Sequence, residues 1–379
     1  MIWYRDFKFW KGTFLAFWIS LASMWLIYEI LDHFSVKLPW SLQRSLPFFV
    51  LLSLLVAVMR IIGELSGRLA LAAQSQRPAH VPSDSILAMM KDAESNSRWG
   101  EIIKLGSALS EVLWYTSRKK LRIEVGHFLE VAARQTNNNE TLARTLIEDL
   151  GNTTMGLGEV NQGITYIKQG IKVAEDNGLP FLASRGYRNL ANCYSFKGDT
   201  GKARAALAKA SVATQSIGSQ REQLEANGAI AYAKSKIAFT DGDYEDALAA
   251  LDETLKIYSD VALQFPETAA ANKDRIVKIH REKGVIYLEV GTPEALDQAY
   301  VSCQTGLQLA QATQNYETIV RCCCLMAQIL LGKEAISAAE GIMNIAANNV
   351  SKIDTPAVID DYNRVNRRLV NARTAATQG

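Results

Sequence analysis

The sequence predicts an all-α protein: an N-terminal transmembrane helical hairpin, then a solenoid of antiparallel helix pairs, then a C-terminal capping helix. Three observations predict it. Two runs, 13–31 and 45–63, are apolar and rich in aromatic residues. Beyond them the glycines Gly158, Gly198, Gly242, Gly291 and Gly332 recur at intervals of 40, 44, 49 and 41 residues, as turns between repeated helical units do. Near the end, Val358, Tyr362, Val365 and Leu369 form one apolar stripe after Thr355-Pro356, a helix start and a face able to close an open solenoid. The chain divides accordingly into a membrane anchor (1–73), a linker (74–85), a solenoid (86–350) and a capping helix (355–375).

The first apolar run carries no charge from Gly12 to Tyr28 and only Glu29 before Leu31, long enough to cross the hydrocarbon layer. The second, Ser45 to Met59, is extended by Ile61-Ile62-Gly63 if Arg60 snorkels to the headgroups. A cleavable signal peptide is the competing reading of the first run. Its length, its tryptophans and the lack of a small-x-small cleavage site before the second run oppose that reading.

The connection from Asp32 to Arg44 is too short for a domain, so the two spans make a hairpin. Positive charges stand as Arg5, Lys8 and Lys11 before it, Lys37 and Arg44 within it, and Arg60, Arg68 and Arg77 after it. That bias places both termini and the solenoid in the cytoplasm, with a bacterial inner membrane as the expected location. Trp3, Phe7, Trp10, Phe14, Trp18, Leu21, Trp25 and Tyr28 form a helical stripe. The stripe is either an interfacial anchor in the lipid bilayer or a packing seam for a homo-oligomer. Arg60, Glu64 and Arg68, at i, i+4 and i+8, support a helix leaving the bilayer; an intramembrane charged site is the alternative. The stretch Gln74 to Ser85, with Pro78 and Pro82, reads as the linker.

Composition narrows the function. A formal charge of +2 over 379 residues argues against a nucleic-acid partner, which calls for a concentrated basic excess. The five cysteines, Cys193, Cys303, Cys322, Cys323 and Cys324, have no Cys-x-x-Cys spacing. Free thiols in a helical core are expected, in a reducing compartment. The histidines His33, His80, His127 and His280 are too scattered for a local metal motif. No cofactor, metal or catalytic constellation is expected.

The repeats carry the family signal. One runs Tyr187, Leu190-Ala191, Tyr194, Gly198-Asp199, Ala203, Leu207, Ala210. Another runs Ile147, Leu150-Gly151, Gly158-Glu159, Gly163, Ile167, Gly170, with Thr154 in the aromatic place. Looser copies lie at Gly242-Asp243, Ala247 and Leu251, at Gly284, Tyr287 and Gly291, at Gly332, and at Leu105-Gly106. Small residues at these places let two helix backbones approach. The order resembles the tetratricopeptide repeat over roughly 97–350, with a period longer than the usual ~34 residues. It is nearer to the longer repeats of kinesin light chain and of bacterial peptide-sensing regulators. Gly156-Leu-Gly158-Glu-Val-Asn-Gln-Gly163 imitates a phosphate loop, but its spacing differs from Gly-x-Gly-x-x-Gly and no strand precedes it.

The resemblance implies that the first helix of each pair lines a concave groove and that the residue after the Leu-small pair points into it. Those residues are Asn152, Asn192 and Lys236, with Arg185, Arg188 and Asn189 one turn away and Lys278 and Arg281 on a later helix. Asparagine can hold a peptide backbone through its paired donor and acceptor, and arginine can grip a carboxylate or phosphate. The likeness to the carboxylate clamp of co-chaperone repeats is partial, because Ala233 occupies one of its polar places. A solvated face held by ordinary charge pairs is the alternative for the same residues. The expected function is a membrane-anchored scaffold or adaptor, not an enzyme, that binds a protein or peptide partner, an acidic one being the natural candidate. The alternative is a ligand-sensing membrane effector, for example in bacterial defence, whose hairpin perturbs the bilayer on activation.

Overall fold

Residues 83–378 are described by the computed structural model, and all regular structure among them is helical. They belong to one compact unit, His80–Gly379. The expected hairpin, with its spans at 13–31 and 45–63 and its aromatic stripe, lies outside the described residues. Among the described residues no helix is long and apolar enough to cross a membrane.

The described part of the chain opens with α1 (Ser83–Ser95), whose first three residues overlap the stretch read as linker. Asp84 stands in its first turn, where a carboxylate suits the helix dipole. Six antiparallel pairs follow: α2 (Trp99–Tyr115) with α3 (Lys119–Gln135), α4 (139–156) with α5 (Val160–Asp176), α6 (Pro180–Phe196) with α7 (Thr200–Gln215), α8 (Gln220–Asp241) with α9 (Tyr244–Gln264), α10 (Ala269–Val290) with α11 (Pro293–Thr313), and α12 (Tyr316–Gly332) with α13 (Ile336–Val350). The last helix, α14 (Pro356–Gln378), packs on both members of the sixth pair. The pairs sit where the sequence frame places repeats, including its loose copies.

Local chemistry sets the helix ends. Asn138, Asp199, Ser219, Asp243, Thr292 and Asn315 each accept a backbone N–H of the first helical turn, satisfying donors that a helix leaves open. Gly158, Gly198, Gly242 and Gly291 take positive φ at the turns, as glycine does without a steric penalty. Gly332 does not; it stays helical, and the left-handed residue of that turn is Glu334 at φ 58°. Ser97, Ser117 and Asn137 fill the same role in the early turns, at φ 52°, 58° and 52°. Those turns lack the glycine that marks the later ones, so the first repeats are faint in the sequence.

Close approach explains Gly151 and Gly163. A Cβ on Gly151 would lie 2.5 Å from Ile167 Cγ1, and one on Gly163 would lie 2.8 Å from the Gly151 carbonyl oxygen. The α4 and α5 backbones therefore cross through these two residues. The core is a chain of apolar clusters, each shared by neighbouring pairs: one around Met90, Ile102 and Leu129, another around Ile167, Leu190 and Leu207, a third around Val277, Met326 and Val365. All five cysteines are free and buried. The three consecutive ones fit because α12 is enclosed by α10, α11, α13 and α14.

The two ends of the solenoid meet. Lys119 Nζ at the start of α3 pairs with Glu317 Oε2 at the start of α12, 2.7 Å away. Asp354, just before α14, accepts the backbone N–H groups of Lys119 and Lys120 at 3.0 and 2.8 Å. It thereby supplies a cap for α3 from the far end of the chain. Trp114 on α2 lies between two cations, Arg122 at 4.8 Å and Lys278 on α10 at 4.8 Å from the ring centroid. No apolar cluster among the described residues contains members from both sides of this junction.

Candidate functional site

The first helices of the pairs share one face and are joined across it by polar side chains. Arg185, Arg188 and Asn192 stand on α6 at three- and four-residue steps, so they form one stripe. Arg185 Nε is 2.8 Å from Glu148 Oε1 on α4. On the next two inner helices, Arg275 of α10 is 3.0 Å from Glu225 of α8 and lies 5.0 Å over the ring of Tyr258. Tyr258 comes from α9, and Gly228 lets it through, since a Cβ there would be 2.7 Å from the ring.

Among the described residues Arg188 makes no ion pair of its own, although Glu148 lies close enough to favour its charge. Its Nε is buried with no hydrogen-bond partner, and the same holds for Asn189 Oδ1, Asn192 Oδ1 and Ser195 Oγ. Burial, and then the positive charge of Arg185, pull the Arg188 guanidinium from its ordinary 12.5 down to about 10. It remains charged at neutral pH. Unsatisfied buried polar atoms are few in folded proteins, and here four of them share one helix. Glu148 behaves in the opposite way: burial pushes its carboxyl up, yet Arg185, Arg122, Arg144 and Arg188 together hold it below its ordinary value.

The structure corrects parts of the expected groove. Asn189 does not face it; it is 1% exposed and reaches back between helices, its Nδ2 3.5 Å from the Ile147 carbonyl oxygen. At 3.6 residues per turn, residue 189 lies about 100° round the helix from residue 188, and Asn189 falls on the flank where α6 meets α4. Arg188 is half-buried rather than solvent-facing. Asn152 is half-buried and ends a π-helical stretch, Thr145–Asn152, within α4. The wide turns there put the adjacent acids Glu148 and Asp149 to different uses. Asp149 is buried with Arg122 at 2.8 Å and accepts from Ser110, and burial raises its carboxyl above the ordinary value despite Arg122.

Lys236 lies farther along, 3.5 Å from Glu282 and 5.2 Å over the Tyr232 ring; Glu282 raises its ammonium above the ordinary value. It belongs to a second group with Arg281. Lys278 pairs with Asp274 at 2.8 Å and serves the junction.

Sequence reasoning did not find Glu225, Tyr258 and Arg275. Tyr258 lies on an outer helix and is brought in only by the packing past Gly228. Among the described residues no group of three or more His, Cys, Asp or Glu side chains is placed to hold a metal ion.

Fold and site together define an α-solenoid of helix pairs with a charged, partly unsatisfied inner face. No family model matches the chain, and no curated protein matches it. Among solved structures, the apo form of RapI is similar at 11% identity, over 72% of this chain and 93% of that one, with a TM-score of 0.48. A Rap protein complexed with Competence and Sporulation Factor is similar at 14% identity, over 81% and 83%, with a TM-score of 0.49. BtubC (BKLC) from P. vanneervenii is similar at 15% identity, over 70% and 91%, with a TM-score of 0.39.

Proposed function

We propose that this chain is a binding scaffold that takes a protein or peptide segment with an anionic group on its inner face, and performs no chemistry there. The observation that supports it is the charged Arg188 beside Asn192. A half-buried cation that has only a share of Glu148, already paired with Arg185, is poorly compensated in a purely structural role. A carboxylate or phosphate on Arg188, with a backbone N–H donating to Asn192 Oδ1, would satisfy both. Arg185 and Asn152 flank that position, and Lys236 extends the polar surface toward the later repeats. Asn189 supports the helix packing and not the ligand.

The scaffold is proposed to be held at a bacterial inner membrane by a hairpin spanning 13–31 and 45–63, with the solenoid in the cytoplasm; the support is the apolar runs and the lysine and arginine bias. The test of binding measures partner capture and thermal stability together for Arg188→Met and Asn192→Ala in the full chain. Capture should fall roughly ten- to a hundredfold, the effect of losing hydrogen bonds to a charged group. Normal capture by both variants would remove the inner face as the binding surface. Anchoring is tested by a reporter after Gly379 and by outside labelling of a cysteine placed between Asp32 and Arg44. Outside labelling of the solenoid would reverse the orientation.

A further inference from the structure

Resting on the reading of the inner face as a binding surface, we infer that the junction of Lys119, Glu317 and Asp354 is a latch that covers the Arg188 site, so that an occupant and a closed latch exclude one another. The first support is the state of the site. Arg188 Nε, Asn192 Oδ1 and Ser195 Oγ are shut off from solvent and yet have no partner. Arg188 and Asn192 are otherwise half-buried, so the site is partly covered, with its polar atoms turned inward.

The second support is placement. Helix α10 carries both parts: Arg275 faces Glu225 and Tyr258 in the site. Lys278, three residues on, meets Trp114 of the first pair. One helical turn, about 5.4 Å, separates the two, and the site lies between the ends that the junction joins.

The third support is the kind of contact. Within the solenoid, neighbouring pairs are held by apolar clusters; the junction is made by the Lys119–Glu317 pair, the two N–H bonds to Asp354 and the contact of Lys278 with the Trp114 ring. Opening exchanges these for contacts with water and leaves each apolar cluster whole. Polar contacts of this kind are individually modest in net worth, which suits a closure that must be reversible.

The experiment uses the full chain in detergent and reads two quantities. Hydrogen exchange at the Lys119 and Lys120 amides reports the latch, and phenylglyoxal modification of Arg188, located by mass spectrometry, reports cover over the site. Glu317→Gln and Asp354→Ala should each raise both by roughly tenfold, the effect of one lost charge-assisted contact, while the amides of Leu190 to Cys193 stay protected. Asp354 lies in a loop outside the buried ion pair, so its variant serves if Glu317→Gln fails to fold. Faster amide exchange with Arg188 still protected would overturn the inference, as would rapid modification of Arg188 in the unmodified chain. Neither readout involves a ligand. Loss of the binding reading would therefore appear as normal capture by the Arg188 and Asn192 variants, separately from any failure of the latch.

Discussion

Replacing Arg188 by methionine should make the protein more stable. The perturbation removes a half-buried charge and keeps most of the stem that packs beneath it. Arg188 is held at about 10 against an ordinary 12.5, by burial first and Arg185 second. At about 1.4 kcal/mol per pKa unit, retaining that charge costs up to roughly 3 kcal/mol. Partial contact with water and the imperfect fit of methionine reduce the expected gain to about 1–2 kcal/mol at pH 7.

The sign follows from linkage. A base whose folded value lies below its unfolded one costs stability wherever it is charged in the fold, and the cost is relieved as pH rises through about 10. The variant's advantage should therefore be full at pH 7, begin to shrink as pH rises through about 10 and vanish only toward the ordinary 12.5. Denaturant unfolding of the full chain across that range measures it. A variant less stable than the parent by about 1 kcal/mol or more at pH 7 would show Arg188 holding helices together, and the binding argument built on its isolation would fail.

Glu317→Gln should cost about 1–2 kcal/mol, the worth of the lost charge-assisted contact, because opening of the junction returns Lys119 to water. Burial pushes the Glu317 carboxyl up, but Lys119 and Arg321 outweigh it and hold it at about 2. Lys119 is itself lowered because burial outweighs Glu317, so the pair's net worth is smaller than the carboxyl shift alone suggests. The Glu317 contribution should be present above its ordinary 4.5 and disappear as pH falls toward about 2, which acid titration of parent and variant compares. Gly163→Ala should destabilise by about 1–2 kcal/mol, since the new methyl meets backbone at 2.8 Å. Gly341→Ala, in the exposed middle of α13 with nothing within 4 Å, should stabilise by about 0.5–1 kcal/mol. Equal signs for the two in thermal unfolding would refute the close-crossing account of α4 and α5.

Much of the fold is local and therefore readable. Asp199 caps α7 and Gly198 turns before it; Gly151, Gly163 and Gly170 stand where backbones cross. Each requirement is met by one residue type within a short stretch, so the best repeats identify themselves. The faint ones, with Ser97, Ser117 and Asn137 in left-handed turns, are faint because their neighbours tolerate a modest backbone penalty that glycine would avoid.

By itself the sequence determined the all-helical pairing and the approximate place of each repeat, and it set Arg185, Arg188 and Asn192 at helical spacing, because helix periodicity and turn chemistry act over a few residues. Only the tertiary structure decided which of those charges find partners. Arg185 meets Glu148, Arg275 meets Glu225, Lys119 meets Glu317, and Arg188 makes no ion pair of its own among the described residues. The physical reason is range: an ion pair depends on how successive helix pairs rotate about the solenoid axis. Small rotations at each packed interface accumulate around the solenoid until its first and last pairs meet.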